Sequence, residues 1–140
     1  MVDKTLILRK ISEFEQYYQQ ISEFRGTSTD AYRADWKLQR IIERTLQMMI
    51  ETCVDIAGHI ISDQGFRLPD SYADTFRVLH ENTIIDGDLC RTLEKIAKFR
   101  NIIVHHYDRV DVEIVVGILR KHLDDFHHFQ KAIINWLKTK

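Results

Sequence analysis

Apolar residues recur at intervals of three and four along nearly the whole chain, the spacing of one face of an α-helix. Ile7, Ile11, Phe14, Tyr18 and Ile21 form the first such stripe. Gly26 with Thr27, Ser28 and Thr29 interrupts it, and Asp30 is placed to cap the next helix. That second helix is expected to be long, from about Tyr32 to Ile61. Leu38, Ile42, Met49, Cys53, Ile56 and Ile60 make its stripe, and Leu46, Ile50, Val54, Ala57 and Ile61 widen it. A helix apolar over so wide an arc belongs at the centre of a fold, with neighbours on several sides. Ser62 to Asp70, with Gly65 and Pro69, reads as a loop, and Ser71 to about Glu81 as a short helix with Tyr72, Phe76 and Leu79 inward. Asn82 to Gly87 turns the chain, and Asp88 is placed to cap a fourth helix running to about His105. After a turn at Asp108 to Asp111, Asp111 caps a last helix. Its stripe is Val112, Val115, Val116, Leu119, Leu123, Phe126, Ile133 and Leu137. The prediction is an all-α, antiparallel up-and-down bundle of four main helices plus one short helix, a single domain spanning residues 1–140.

Composition supports that prediction. One proline and five glycines leave little turn chemistry for a β-sandwich or barrel. At 140 residues, about two thirds of the unfolded surface can be buried, so no metal or disulfide staple is required. Cys53 and Cys90 are far apart and read as small buried hydrophobes in a reducing compartment. Met1 to Leu8 is short and mixed, unlike a secretory leader. No run of about 18 uncharged apolar residues occurs, so no membrane span is expected and the chain reads as cytoplasmic.

One segment does not fit a plain bundle. On a wheel of the fourth helix, Leu89, Leu93, Ile96, Ala97, Ile103 and Val104 gather on one face, and Arg100 falls in the middle of it. Tyr107 falls there too if the helix direction persists. Asn101 and His105, four apart, lie at its edge. A guanidinium on an apolar stripe is costly unless it is paired or faces a cavity. Arg100 alone is explained by snorkelling along its stem, and His105 alone by a core hydrogen bond to Asn101. Together they make a cation, an amide and an imidazole at one site, with a phenol beside them. With no thiol, serine or carboxylate in this cluster, a nucleophilic triad does not fit. Arg and His suit cleavage of a phosphodiester whose substrate carries its own nucleophile, as RNA does in its 2′-hydroxyl. His105 would move the proton, and Arg100 would stabilise charge building on phosphorus. One histidine does not easily serve as both base and acid; a symmetric dimer brings a second His and Arg to the same cleft.

Arg100 to Tyr107 reads Arg-Asn-Ile-Ile-Val-His-His-Tyr, an R-x4-H-x-Y motif with Asn after Arg. In this helical context it resembles the HEPN superfamily, specifically its HepT-like toxin branch. Gln39 to Ile60 resembles the family's long second helix, Pro69 to Leu79 its loop and short helix, and Leu123 to Phe126 its last helix. The resemblance implies the toxin of a prokaryotic toxin–antitoxin pair, a metal-independent endoribonuclease acting as a homodimer and needing no cofactor. It implies a minimal nucleotidyltransferase antitoxin as cognate partner, which transfers AMP from ATP onto Tyr107. Arg100 and His105 would carry cleavage, with Asn101 in support. The residue before the motif tyrosine is often acidic in this branch; here it is His106, which receives no role. The alternative is a non-catalytic helical module that binds a nucleotide or the nucleotidyltransferase partner, with Arg100 holding a phosphate.

Other polar groups are weaker candidates. Two metal sets can be drawn, His105-His106 with Asp108 and His122 with His127-His128. Adjacent histidines diverge by about 100° on a helix, and a zinc site wants three or four converging ligands, so no metal is expected. Asp124-Asp125 reads as solvated. Tyr17-Tyr18, Trp36 and Phe129 read as core or interface anchors, and the fourth helix is the expected dimer surface. The whole chain carries a formal charge of −1, which speaks against a broad RNA-coating surface. Between Arg91 and Arg109, however, five cations (Arg91, Lys95, Lys98, Arg100, Arg109) stand against Glu94 and Asp108, enough for a local basic cleft.

Overall fold

The computed structural model describes residues 2–140. The described chain is helical without strands. The elements are α1 (Lys4–Ser22), α2 (Thr29–Ala34), α3 (Trp36–Gln64), α4 (Tyr72–Glu81) and α5 (Gly87–His105). A 3₁₀ turn (Tyr107–Arg109) then leads into α6 (Val112–Gly117), a π turn (Ile118–His122) and α7 (Leu123–Leu137). Four rods close a ring in which α1 packs on α3, α3 on α5, α5 on α7 and α7 on α1. Neighbours run antiparallel, as cross-contacts show. Lys10 pairs with Asp55 while the Asp3 amide reaches Asp63. Phe14 meets Phe126 at 6.2 Å while Lys4 reaches the Lys140 carbonyl. The short α4 lies against α3 and α5. This is the expected bundle, with one further helical turn, α2.

The differences from expectation have local causes. The long helix begins at Trp36, because Asp35 is extended (φ −132°, ψ 100°) and accepts from the Lys37 and Leu38 amides as its N-cap. Tyr32 thus belongs to α2, which Ser28 caps in place of Asp30. The far end of α3 passes Ser62 to reach Gln64 and stops at Gly65, whose φ of 66° suits a residue without a Cβ. The expected fourth helix, α5, is capped by Asp86 and not Asp88. The last helix starts under Asp111 as expected but carries the π turn, so Ile118 and Leu123, five apart, are both buried.

The core is continuous around α3. Ile42, Leu46, Met49, Cys53, Ile56 and Ile60 are fully buried, as are Phe14, Phe126 and Phe129. Each contributes about 1.5–3 kcal/mol by leaving water. Both cysteines are buried free thiols. Trp36 is 65% exposed and takes no part in the core. The Asp124-Asp125 pair is engaged by neighbours: Arg25 holds Asp124 in an ion pair at 3.1 Å, and His122 Nδ1 lies within hydrogen-bond distance of Asp125, at 2.9 Å. Among the described residues no three His, Cys, Asp or Glu side chains gather as a metal site, and no helix is long and apolar enough to cross a membrane.

Because Asp35 alone separates α2 from α3, Asp35→Ala is expected to cost about 1 kcal/mol. Urea unfolding should show a lower midpoint with an unchanged slope.

Candidate functional site

Arg100 lies on the inward face of α5, as its place among Leu93, Ala97 and Ile103 requires. Its side chain is 14% exposed. What makes that burial tolerable comes from two other helices. Glu51, in the middle of α3, accepts from Nε at 3.1 Å and from Nη2. Tyr72, at the start of α4, lies under the guanidinium with its ring centroid 4.6 Å from Cζ. Asn101 accepts from Nη1 at 3.1 Å. Three of the five guanidinium N–H donors are thus used, leaving one on each terminal nitrogen for an oxyanion.

Neither Glu51 nor Tyr72 entered the sequence-based cluster, and the expected absence of a carboxylate there is overturned by the Arg100–Glu51 pair. The signal was present in α3. Arg40, Arg44, Gln47 and Glu51 recur at intervals of four, three and four, a polar row opposite the apolar stripe. Gln47 donates to Glu51 at 3.3 Å, continuing the row into the pair. Desolvation pushes the Glu51 carboxyl upward. Hydrogen bonds from Arg100 and Gln47, with the positive charges of Arg100 and Arg44, outweigh that and hold it below its ordinary range.

His105 and Asn101 stand on the other side of the helix. Five residues on from Arg100, His105 emerges about 140° round the axis, and both it and Asn101 are exposed. Asn101 bridges the two faces, because its carbonyl oxygen reaches back to Arg100. The helix ends at His105: His106 leaves it at φ −138°, and the 3₁₀ turn comes next. Tyr107 therefore does not continue the α5 wheel. It is 71% exposed and borders a groove between α5 and α3, with Ile103 and Val104 on its own side and Arg40, Glu43, Arg44 and Gln47 opposite. His106 is also exposed.

The inward face of α5 is consumed within the subunit, against α3 and α4. The face left to meet a second copy or a substrate carries Lys95, Lys98, Asn101 and His105. The arrangement offers a fixed guanidinium with spare donors, an exposed imidazole and an exposed phenol on the last turn of one helix and the turn after it.

Comparison with known proteins agrees with this geometry. Residues 14–133 match the family described as ribonuclease HepT-like. The mRNA nuclease HepT of Shewanella oneidensis is 34% identical over 128 residues, covering 91% of this chain and 96% of the relative. The tRNA nuclease HepT of Aphanizomenon flos-aquae is 24% identical over 138 residues, covering 99% and 94%. Among solved structures, a tri-AMPylated Shewanella oneidensis HEPN toxin in complex with MNT antitoxin has a TM-score of 0.85 to this chain at 32% identity. The likeness covers 96% of this chain and 99% of that one.

Glu51→Gln keeps the shape and removes the charge that holds Arg100. It is expected to cost about 1.5–3 kcal/mol at neutral pH, the range for hydrogen bonds to a charged group. The folded carboxyl sits below its ordinary value of 4.5, so the charge stabilises above that pH and the benefit fades as pH falls through the folded value. Denaturation curves across pH should show the two proteins converging in acid.

Proposed function

The chain belongs to the ribonuclease HepT-like family, and we propose that Arg100 and His105 are the residues with which it cuts RNA. It is the ribonuclease toxin of a toxin–antitoxin pair, with a nucleotidyltransferase as antitoxin. The observation that carries the residue assignment is the half-buried Arg100, held by Glu51 and Tyr72 with two N–H donors unspent, beside the exposed His105. The RNA 2′-oxygen attacks phosphorus, forming a 2′-O–P bond, while an imidazole takes its proton. The bond from phosphorus to the 5′-oxygen breaks, and that oxygen leaves protonated. The products are a 2′,3′-cyclic phosphate and a 5′-hydroxyl. Arg100 stabilises the extra negative charge on the phosphoryl oxygens, and Asn101 holds the guanidinium in register. No step calls for a metal or cofactor.

Base and acid are two roles, and each subunit has one motif histidine, exposed on the outer face of α5. A homodimer joined so that the two α5 ends face one cleft supplies both. We read residues 1–140 as one such unit, acting in the cytoplasm, where its RNA substrate is.

Tyr107 is the acceptor for the antitoxin. Its phenolic oxygen attacks the α-phosphate of ATP, an O–P bond forms, pyrophosphate leaves and the phenol proton is lost to solvent. The exposure of Tyr107 and its place just beyond His105 support this reading. A nucleotide there brings bulk and negative charge to the cleft entrance.

Purified protein is expected to cleave single-stranded RNA in the presence of EDTA, leaving cyclic phosphate ends. His105→Ala should lower the rate by about 10²-fold or more, the usual worth of a positioned acid–base group. Cleavage by His105→Ala at the wild-type rate would overturn the assignment. Tyr107→Phe should still cleave but gain no AMP mass when incubated with the cognate transferase and ATP. Persistent modification of that variant would move the acceptor elsewhere.

A further inference from the structure

The groove beyond Tyr107 takes no part in the cleavage chemistry. Arg40, Glu43, Arg44 and Gln47 of α3 line one wall, and Ile103, Val104 and Tyr107 the other, around a volume of ≈ 390 Å³. Its cations are not equivalent. Arg40 is held at 3.0 Å by Glu43, which also accepts from the buried Tyr32 hydroxyl. Arg44 is exposed and, among the described residues, makes no ion pair and no side-chain hydrogen bond. Two neighbouring carboxylates of α3 are already hydrogen-bonded elsewhere, Glu43 to Tyr32 and Arg40, Glu51 to Arg100 and Gln47. Arg44 is therefore an exposed guanidinium with no direct partner, felt by Glu51 only through space, on a groove that opens beside the cleavage residues.

We propose that Arg44, assisted by Arg40, is a phosphate-binding subsite that holds the RNA strand one or two nucleotides away from the bond cut at Arg100. The spacing fits. Arg44 lies seven residues, two helical turns or about 10 Å, from Glu51, which anchors Arg100. Arg40 lies one turn further, so the row offers successive positive positions along α3. The opposite wall offers the Tyr107 ring and the flanks of Ile103 and Val104 to a base, the usual pairing of backbone charge with a stacking surface for single strands. Arg100, partly neutralised by Glu51, gives little long-range attraction of its own; Arg44 supplies it. The subsite rests on the ribonuclease reading. It also gives the Tyr107 modification a physical route to inhibition, because a nucleotide on that phenol lodges where the strand would run.

The test uses the full-length protein and a fluorescein-labelled single-stranded RNA of mixed sequence. Arg44→Gln is expected to raise KM about three- to tenfold with kcat little changed. In an otherwise identical His105→Ala background it should lower the slope of log binding constant against log salt by about 0.7, one phosphate contact on a single strand. Arg44→Lys, which keeps the charge, should recover most of the loss. Lys131→Gln on α7, an equal loss of charge elsewhere, should leave KM and slope unchanged. Unaltered KM and slope in Arg44→Gln, or an equal effect in Lys131→Gln, overturns the subsite while leaving the nuclease assignment standing. Absence of RNA cleavage by the parent protein overturns the nuclease assignment and the subsite with it.

Discussion

A guanidinium set into the apolar face of a helix is the constraint around which this bundle is arranged. Arg100 occupies a position that Leu93 and Ala97, two turns and one turn earlier, devote to the core. Left unpaired there it would cost several kcal/mol. The cost is offset from outside α5. Glu51 comes from the middle of the longest helix and Tyr72 from the first residue of the short α4. Those contacts fix how α3, α4 and α5 lie on one another. Arg67 then ties the loop after α3 to α4, through paired bonds of 2.8 Å to both Asp74 and Glu81. The Arg67 hydrogen bonds, with the Asp70 amide, hold the Asp74 carboxyl well below the usual range, so α4 stays pinned through ordinary pH. A cation held this way loses little freedom when a phosphate arrives, which is what electrostatic preorganisation would require of Arg100 in its proposed role.

The helical content, the order of the rods and the inward face of each were legible in the sequence because they depend on periodicity, a local property. The central role of α3 came from the width of its apolar arc. What periodicity could not show was which of several capping residues wins. Ser28 and Asp30, or Asp86 and Asp88, are both chemically able, and the choice depends on where the chain enters the helix. Asp35 likewise reads as one more helical position until the packing of Tyr32 against Glu43 turns the chain there. The π turn at Ile118–His122 is a further case. It inserts one residue to keep Leu123 and Phe126 inward, an adjustment visible only once both ends of the rod are packed.

The site shows the same division more sharply. Arg100, Asn101, His105 and Tyr107 are neighbours in sequence, and a motif finds them. Glu51 and Tyr72 are 49 and 28 positions from Arg100 and are brought to it only by the packing of three helices. The wheel placed Arg100 correctly, but it could not say whether the apolar face around it was turned inward or toward another subunit. It is turned inward, so the surface available to a second copy is the polar side of α5. The motif thus divides its labour across one helix. Its guanidinium is built into the fold, and its imidazole faces outward.

The role proposed for Tyr107 depends on where α5 stops. Had the helix continued for another turn, residue 107 would lie on the same inward face as Arg100, seven positions on, and its hydroxyl would be buried against α3. His106 leaves the helix instead, and the 3₁₀ turn carries the phenol out to 71% exposure at the edge of the groove. The hydroxyl there is accessible to a transferring enzyme yet only two residues from His105. On the proposed reading, a nucleotide added at that point meets Arg44 across the groove, so the cation proposed to draw a strand in when the phenol is bare would hold the blocking phosphate when it is not. Attraction of substrate and retention of the inhibitory group would then draw on the same charge, and the state of one hydroxyl would decide which of them the groove serves.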